Sequence, residues 1–249
     1  MKKLTFIIVI VFLMALFAAC GEKGNDDGDG LDIVVETPVN GNGDDANALN
    51  PQDDPSDEPE DDLLAEGVNY TLWPEGTSLT DSEQYVMDLA VNTLVLLKNK
   101  DWGALGAMVH PDQGLTFSPY GFVDESTAVH LGVGDVKALD YDTDVRMWGY
   151  LEGPGDPIEC TFAEYYDRFI FDRDFTKEPQ AAVDRIIKTT MENNLFVFGN
   201  GGSYVEFHKA TDDPGMEDFD WSSLRFVFSW YQEGQDLYLA AIVHDEWTP

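Results

Sequence analysis

Leu224-Arg225-Phe226-Val227-Phe228-Ser229-Trp230-Tyr231 runs into Gln232-Glu233-Gly234-Gln235-Asp236, and then into Leu237-Tyr238-Leu239-Ala240-Ala241-Ile242-Val243-His244. The two flanks are rich in aromatic and β-branched residues with an alternating pattern, and the polar, glycine-containing insert between them signals a turn. The stretch therefore reads as a β-hairpin. Residues 203–208 form another alternating run, and residues 145–151 and 158–161 flank Glu152-Gly153-Pro154-Gly155-Asp156, a second hairpin signal. The paired strands fall late in the chain. Helical patterns come earlier: Thr80-Asp81-Ser82-Glu83 is a capping box, followed by Val86, Leu89, Ala90, Thr93, Leu96 and Leu97 at helical spacing, which predicts a helix over 81–99. Asp101-Trp102-Gly103 opens a short second helix that ends before Pro111. Thr161-Phe162-Ala163-Glu164 is another capping box, ahead of an aromatic stripe of Phe162, Tyr165, Tyr166, Phe169 and Ile170 that reads as core. Residues 181–198 are ambiguous. The expected fold class is α+β, with N-terminal helices packed on a bent antiparallel sheet.

The 249 residues hold 48 Asp and Glu against 14 Lys and Arg, a formal charge of −34. Such a chain repels phosphate backbones and anionic surfaces, so nucleic acid is excluded as a partner and so is electrostatic docking on an anionic membrane. With 43% hydrophobic residues it is too apolar to be wholly disordered.

The acidity is unevenly placed. Residues 21–66 hold 16 acidic residues against one basic residue, Lys23, with repeated Gly, Asn and Pro and no hydrophobic period. A segment of this composition buries too little apolar surface to offset its ordering entropy, and its like charges extend it. It reads as a disordered tether. Within it Asn25, Asp27, Asp29 and Glu36, with Gly30, have the spacing of a calcium-binding EF-loop. Asn at the first position, Asp32 where an apolar residue belongs and Thr37-Pro38 in place of an exiting helix favour a solvated acidic segment with weak Ca²⁺ affinity. Residues 67–249 remain at −21, with 32 acidic and 11 basic residues, and are long enough for one core.

At the start of the chain Lys2 and Lys3 precede sixteen mostly apolar residues, 4–19, which end in Phe17-Ala18-Ala19-Cys20-Gly21. The run is too short to span a bilayer and reads as a signal peptide. Its end resembles the lipobox of bacterial lipoproteins. That resemblance implies cleavage before Cys20, lipidation of its sulfur and acylation of its amino group. Residues 1–19 are then the signal, 20–66 the lipidated cysteine and linker, and 67–249 a single globular domain. The membrane is a partner through lipid, and the protein faces outside the cytoplasm. Only Cys160 would then remain as a free thiol, leaving no intramolecular disulfide.

Further resemblance lies in Val109-His110-Pro111-Asp112-Gln113-Gly114, Trp148-Gly149-Tyr150, Asp220-Trp221-Ser222-Ser223-Leu224-Arg225 and Ile242-Val243-His244-Asp245-Glu246-Trp247-Thr248. These runs resemble a family of bacterial lipoproteins with no assigned activity. The order of elements is more remotely similar to the α+β cone of ketosteroid-isomerase-like and nuclear-transport-factor-like proteins, which implies a pocket between sheet and helices. Fold alone does not give function.

The chemistry-bearing residues are few. On a strand over 203–208, Glu206 and His208 share a face. Were that strand beside the last one, His244 would join them, giving residue types suited to zinc or to acid–base catalysis. Arg225 would pair a carboxylate in the same polar pocket, and Tyr120 is a further candidate. No nucleophile elbow, zinc-protease motif, phosphate loop or CxxC is present, and no cofactor is expected. The sequence thus points to a lipid-anchored binding domain for a small molecule, peptide or envelope component. The alternatives are a pocket enzyme of isomerase, dehydratase or hydrolase type, and a calcium-responsive envelope protein.

Overall fold

A computed structural model describes residues 68–198, 202–232 and 236–248. The signal segment, Cys20, the tether and its Asn25, Asp27, Asp29 and Glu36 lie outside the described residues. No helix among the described residues is long and apolar enough to cross a membrane.

The protein is α+β, with four α-helices and a large sheet among the described residues. The capping box at Thr80 forms as read. Its hydroxyl accepts from Glu83 N, the Glu83 carboxylate accepts from Thr80 N, and α1 runs Asp81–Asn99. It ends where Lys100 turns left-handed at φ 53°. α2 (Trp102–Met108) follows, capped by Asp101, then a short α3 (Val133–Lys137) and α4 (Phe162–Phe169), whose capping box at Thr161 also forms.

Seven strands make the main sheet: β1 (Asn69–Leu72), β2 (Leu115–Ser118), β3 (Val129–Leu131), β6 (Lys177–Val183), β7 (Ser203–Ala210), β8 (Trp221–Tyr231) and β9 (Asp236–Glu246). Their order is β1-β6-β7-β8-β9-β2-β3. β4 (Arg146–Tyr150) and β5 (Pro157–Cys160) form the second hairpin as a separate pair. The expectation of an antiparallel sheet holds for β6 through β9 and for β2 with β3, but β1 lies parallel to β6 and β2 parallel to β9. The sheet is mixed because the two flanking strands come from before and between the helices and return to the edges of the β6–β9 antiparallel core.

Opposed residues in an antiparallel pair share a face, so the registers sort the side chains. Val205, Phe207, Leu224, Phe226, Phe228 and Ile242 join Val86, Leu94, Leu97, Trp102 and the α4 aromatics in the main core. There Trp148 stacks on Tyr165 at 4.1 Å, and Trp102 meets Phe162 edge-on at 5.2 Å. The other face carries Val227, Ala241 and Val243, roofed by Val123 from a loop and by Leu195 from a short 3-10 turn over Leu195–Phe198 rather than by α-helices. Burial of two unlike layers against β8 and β9 leaves those strands enclosed on both faces.

Candidate functional site

On the loop-covered face the pairings Glu206↔Arg225, His208↔Ser223 and Ser223↔Asp245 bring five polar side chains together. Arg225 stands between two carboxylates. Its Nε donates to Glu206 Oε2 at 3.0 Å, and its Nη2 donates to Asp245 Oδ2 at 2.9 Å and to Lys188 O at 2.6 Å. All three charged side chains have 0% exposure. Burial works against the guanidinium charge, but Glu206 and Asp245 outweigh it and hold the Arg225 pKa above its ordinary value.

The carboxylates are well supplied with donors. Glu206 also accepts from Ile187 N at 3.1 Å, Lys188 N at 3.2 Å and Ser223 Oγ at 2.8 Å. Asp245 accepts from Thr189 Oγ1 at 2.7 Å and Thr190 Oγ1 at 3.2 Å. Residues 187–190, an irregular segment after β6, are thereby pinned onto the sheet through backbone and hydroxyl groups. Among the buried side-chain atoms of this cluster, Arg225 Nη1 has no hydrogen-bond partner. It faces Gly121, where a Cβ would lie 3.0 Å away.

His208 hangs from the edge of this network. Its Nδ1 lies 2.9 Å from Ser223 Oγ, whose proton goes to Glu206. Ser223 must therefore accept, so Nδ1 carries the hydrogen and Nε2 presents a lone pair. Burial, followed by the charges of Lys188, Arg225 and Arg173, pushes the His208 pKa down to about 4. The ring is neutral at pH 7 and lines a cleft of about 510 Å³ with Trp73, Glu178, Lys188, Lys209 and Glu217.

The structure separates His244 from this group. His244 pairs with Leu224, one position from Ser223, so its side chain points to the helical face. The expected convergence of Glu206, His208 and His244 fails by that single residue. His244 sits instead beside Phe169, with its Nε2 3.5 Å from Asp172 Oδ1. Arg168 grips Glu246 through both guanidinium nitrogens, at 3.0 and 2.5 Å. Tyr120 belongs to this side too: it is buried against Phe169 and apart from the polar cluster around Arg225. Burial pushes its phenol pKa up. Burial opposes the charge of Asp172, yet His244, Ser222 and Arg173 outweigh it and hold the carboxyl below its ordinary value. Cys160 ends β5 half-buried as a free thiol, with its pKa raised by burial and by Glu164.

Asp245, Ser223 and Asp172 were not singled out from the sequence. For Asp245 the signal was present. It alternates with Val243 on a strand already read next to β8, and Arg225 required a partner. Asp172 follows the aromatic helix with no pattern to mark it. Comparison with protein-family models, with curated proteins and with solved structures found no match.

Proposed function

We propose that this chain is a lipid-anchored extracytoplasmic protein, allied to the bacterial lipoproteins its sequence resembles, whose globular domain binds a neutral, hydroxyl-rich ligand of the cell envelope such as an amino-sugar glycan. The observation that carries this reading is the cleft at His208. Its histidine is locked as a hydrogen-bond acceptor by the Glu206–Ser223 chain. Its cations are already engaged: Lys188 Nζ with Asp218 Oδ1 at 2.7 Å, and Lys209 Nζ with Lys177 O at 2.7 Å. Glu178, Asp212 and Glu217 outnumber them in the lining, and Trp73 adds an indole. A mixed polar lining with an indole favours a ligand that offers hydroxyls and an apolar face, while the excess of carboxylates in the lining and in the domain disfavours an anion.

Recognition is better supported than catalysis. The chain from Glu206 through Ser223 to His208 has the connectivity of a base-orienting relay, but a histidine with a pKa of about 4 is a weak proton acceptor at pH 7. The cleft lining supplies no serine or cysteine nucleophile. The bent-sheet, cone-like arrangement belongs to this proposal as well, with one sheet face covered by helices and the other left to loops and ligand.

Isothermal titration of the full chain in detergent with soluble amino-sugar oligosaccharides tests the reading. Saturable binding is expected, weakened about tenfold in His208→Leu, the worth of one hydrogen bond of about 1.4 kcal/mol. Absence of saturable binding, or equal affinity in His208→Leu, overturns it.

A further inference from the structure

His244 Nδ1 lies 3.0 Å from the carbonyl oxygen of Pro119. A carbonyl only accepts, so Nδ1 carries the hydrogen, and in the neutral ring Nε2 bears a lone pair. Another acceptor, Asp172 Oδ1, lies 3.5 Å from that nitrogen. Both atoms are buried, and neither has a hydrogen-bond partner. Two facing acceptors shut away from water repel one another unless a positive centre lies between them.

The neighbouring cations do not supply it. Arg168 commits its Nη1 and Nη2 to Glu246. Arg173 donates through Nη2 to Asp220, and its Nε stands 4.0 Å from the other Asp172 oxygen, Oδ2. A proton on Nε2 would draw the pair to the about 2.7–2.9 Å of a charge-assisted hydrogen bond. The observed 3.5 Å is longer. It is close to the roughly 3.4 Å between two ligands held about 2.1 Å from one tetrahedral metal.

We propose that Asp172, His244 and Glu246 form a binding site for a divalent transition metal of the zinc class. One ligand atom from each lies within 4.8 Å of the others, so closure on an ion requires only a small approach by Glu246. One imidazole and two carboxylates suit zinc and its first-row neighbours, whereas Ca²⁺ and Mg²⁺ take oxygen alone. The surroundings have the form that metal sites use. The Pro119 carbonyl fixes the tautomer of the ligating ring, Phe169 packs on it at 5.8 Å, and Arg168 orients Glu246 while leaving further lone pairs on each carboxylate oxygen. Three protein ligands leave a fourth position for water or a bound group, and the buried hydroxyl of Ser222, paired across the strands with Glu246, stands on the same face. This site is on the opposite sheet face from His208 and is independent of the glycan proposal.

The test is titration of the metal-stripped full chain with Zn²⁺, and with Co²⁺ followed by its visible absorption. One tight equivalent is expected, with the intense visible bands of tetrahedral Co²⁺. Asp172→Asn, close to isosteric, and His244→Gln should each bind at least 100-fold more weakly. His208→Gln should bind like the parent. All variants retain residues 21–66, so diffuse binding to that acidic segment cancels in the comparison. If His244→Gln fails to fold, as judged by its melting curve, Asp172→Asn alone decides. Absence of a tight equivalent, or undiminished affinity in Asp172→Asn, overturns the assignment.

Discussion

Replacing Arg225 by Met keeps the length of the side chain and removes the one cation between two fully buried carboxylates. Breaking a buried ion pair by deleting one partner costs about 3–5 kcal/mol, because a charge is left uncompensated in a low dielectric. The lower end applies here. Glu206 would keep Ile187 N, Lys188 N and Ser223 Oγ, and Asp245 would keep the hydroxyls of Thr189 and Thr190. With a urea slope of about 2 kcal/mol per molar, a loss of about 3 kcal/mol moves the unfolding midpoint down by about 1.5 M. The assay is urea unfolding at pH 7 followed by circular dichroism, repeated in about 1 M NaCl. Salt should leave the difference unchanged, since no solvent reaches the pair. Arg168→Met gives the contrast: Arg168 is half exposed, and its pairing with Glu246 is worth about 0–1 kcal/mol. A triple variant, Arg225→Met with Glu206→Gln and Asp245→Asn, should recover at least about 1 kcal/mol of the single-variant loss, because its buried groups are no longer charged. A cost below about 1 kcal/mol for Arg225→Met, or a triple variant weaker than the single one, would refute the view that charge compensation holds residues 187–190 to the sheet.

The depressed pKa of His208 predicts an acid-sensitive fold. The folded state resists a proton that the unfolded chain accepts near pH 6.5, so stability is complete above that value and falls as pH drops toward about 4, by about 3 kcal/mol in all. Urea midpoints at pH 7 and pH 4.5 should diverge in the parent and draw closer in His208→Gln; equal divergence in both would count against it. Gly121→Ala would set a Cβ 2.6 Å from Asp245 Oδ2 and 3.0 Å from Arg225 Nη1, atoms whose side chains are held by the network. The expected loss is about 1–3 kcal/mol, read as a fall in Tm of several degrees, whereas Gly134→Ala, with nothing within 4 Å, should not lower it.

Much of the helical and hairpin content was legible because it rests on local rules. Thr80 and Thr161 each stand three residues before a glutamate, and both capping boxes form at those positions. The β8–β9 hairpin follows from alternation and a polar turn. The parallel partners of the sheet edges were not legible. Residues 69–72 and 177–183 carry no periodic pattern of their own. They become strands because β7 offers an edge for β6 to pair with and β6 then offers one for β1. The candidate site was half legible for the same reason. Alternation along one strand put Glu206 and His208 on one face, but the face taken by His244 depends on inter-strand register, and a shift of one residue reverses it.

That register also explains why one hairpin serves two different polar sites. Along β9, Asp245 and His244 are neighbours that point to opposite faces, as Ser223 and Ser222 do on β8. Asp245 reaches a network in which both carboxylates are fully supplied with donors from Arg225, residues 187–190 and Ser223. His244 reaches Asp172, where Nε2 and Oδ1 are both buried without a hydrogen bond. Buried polar atoms in folded proteins are nearly always paired, so two buried acceptors that face each other at His244 mark that face for a ligand, whereas the carboxylates beside Arg225 have their donors. The Arg225 face holds a loop in place, its carboxylates matched by donors and Arg225 Nη1 left over. On the His244 face no cation of the described residues donates to Nε2 or Oδ1, and the proposed divalent ion would supply a positive centre between them.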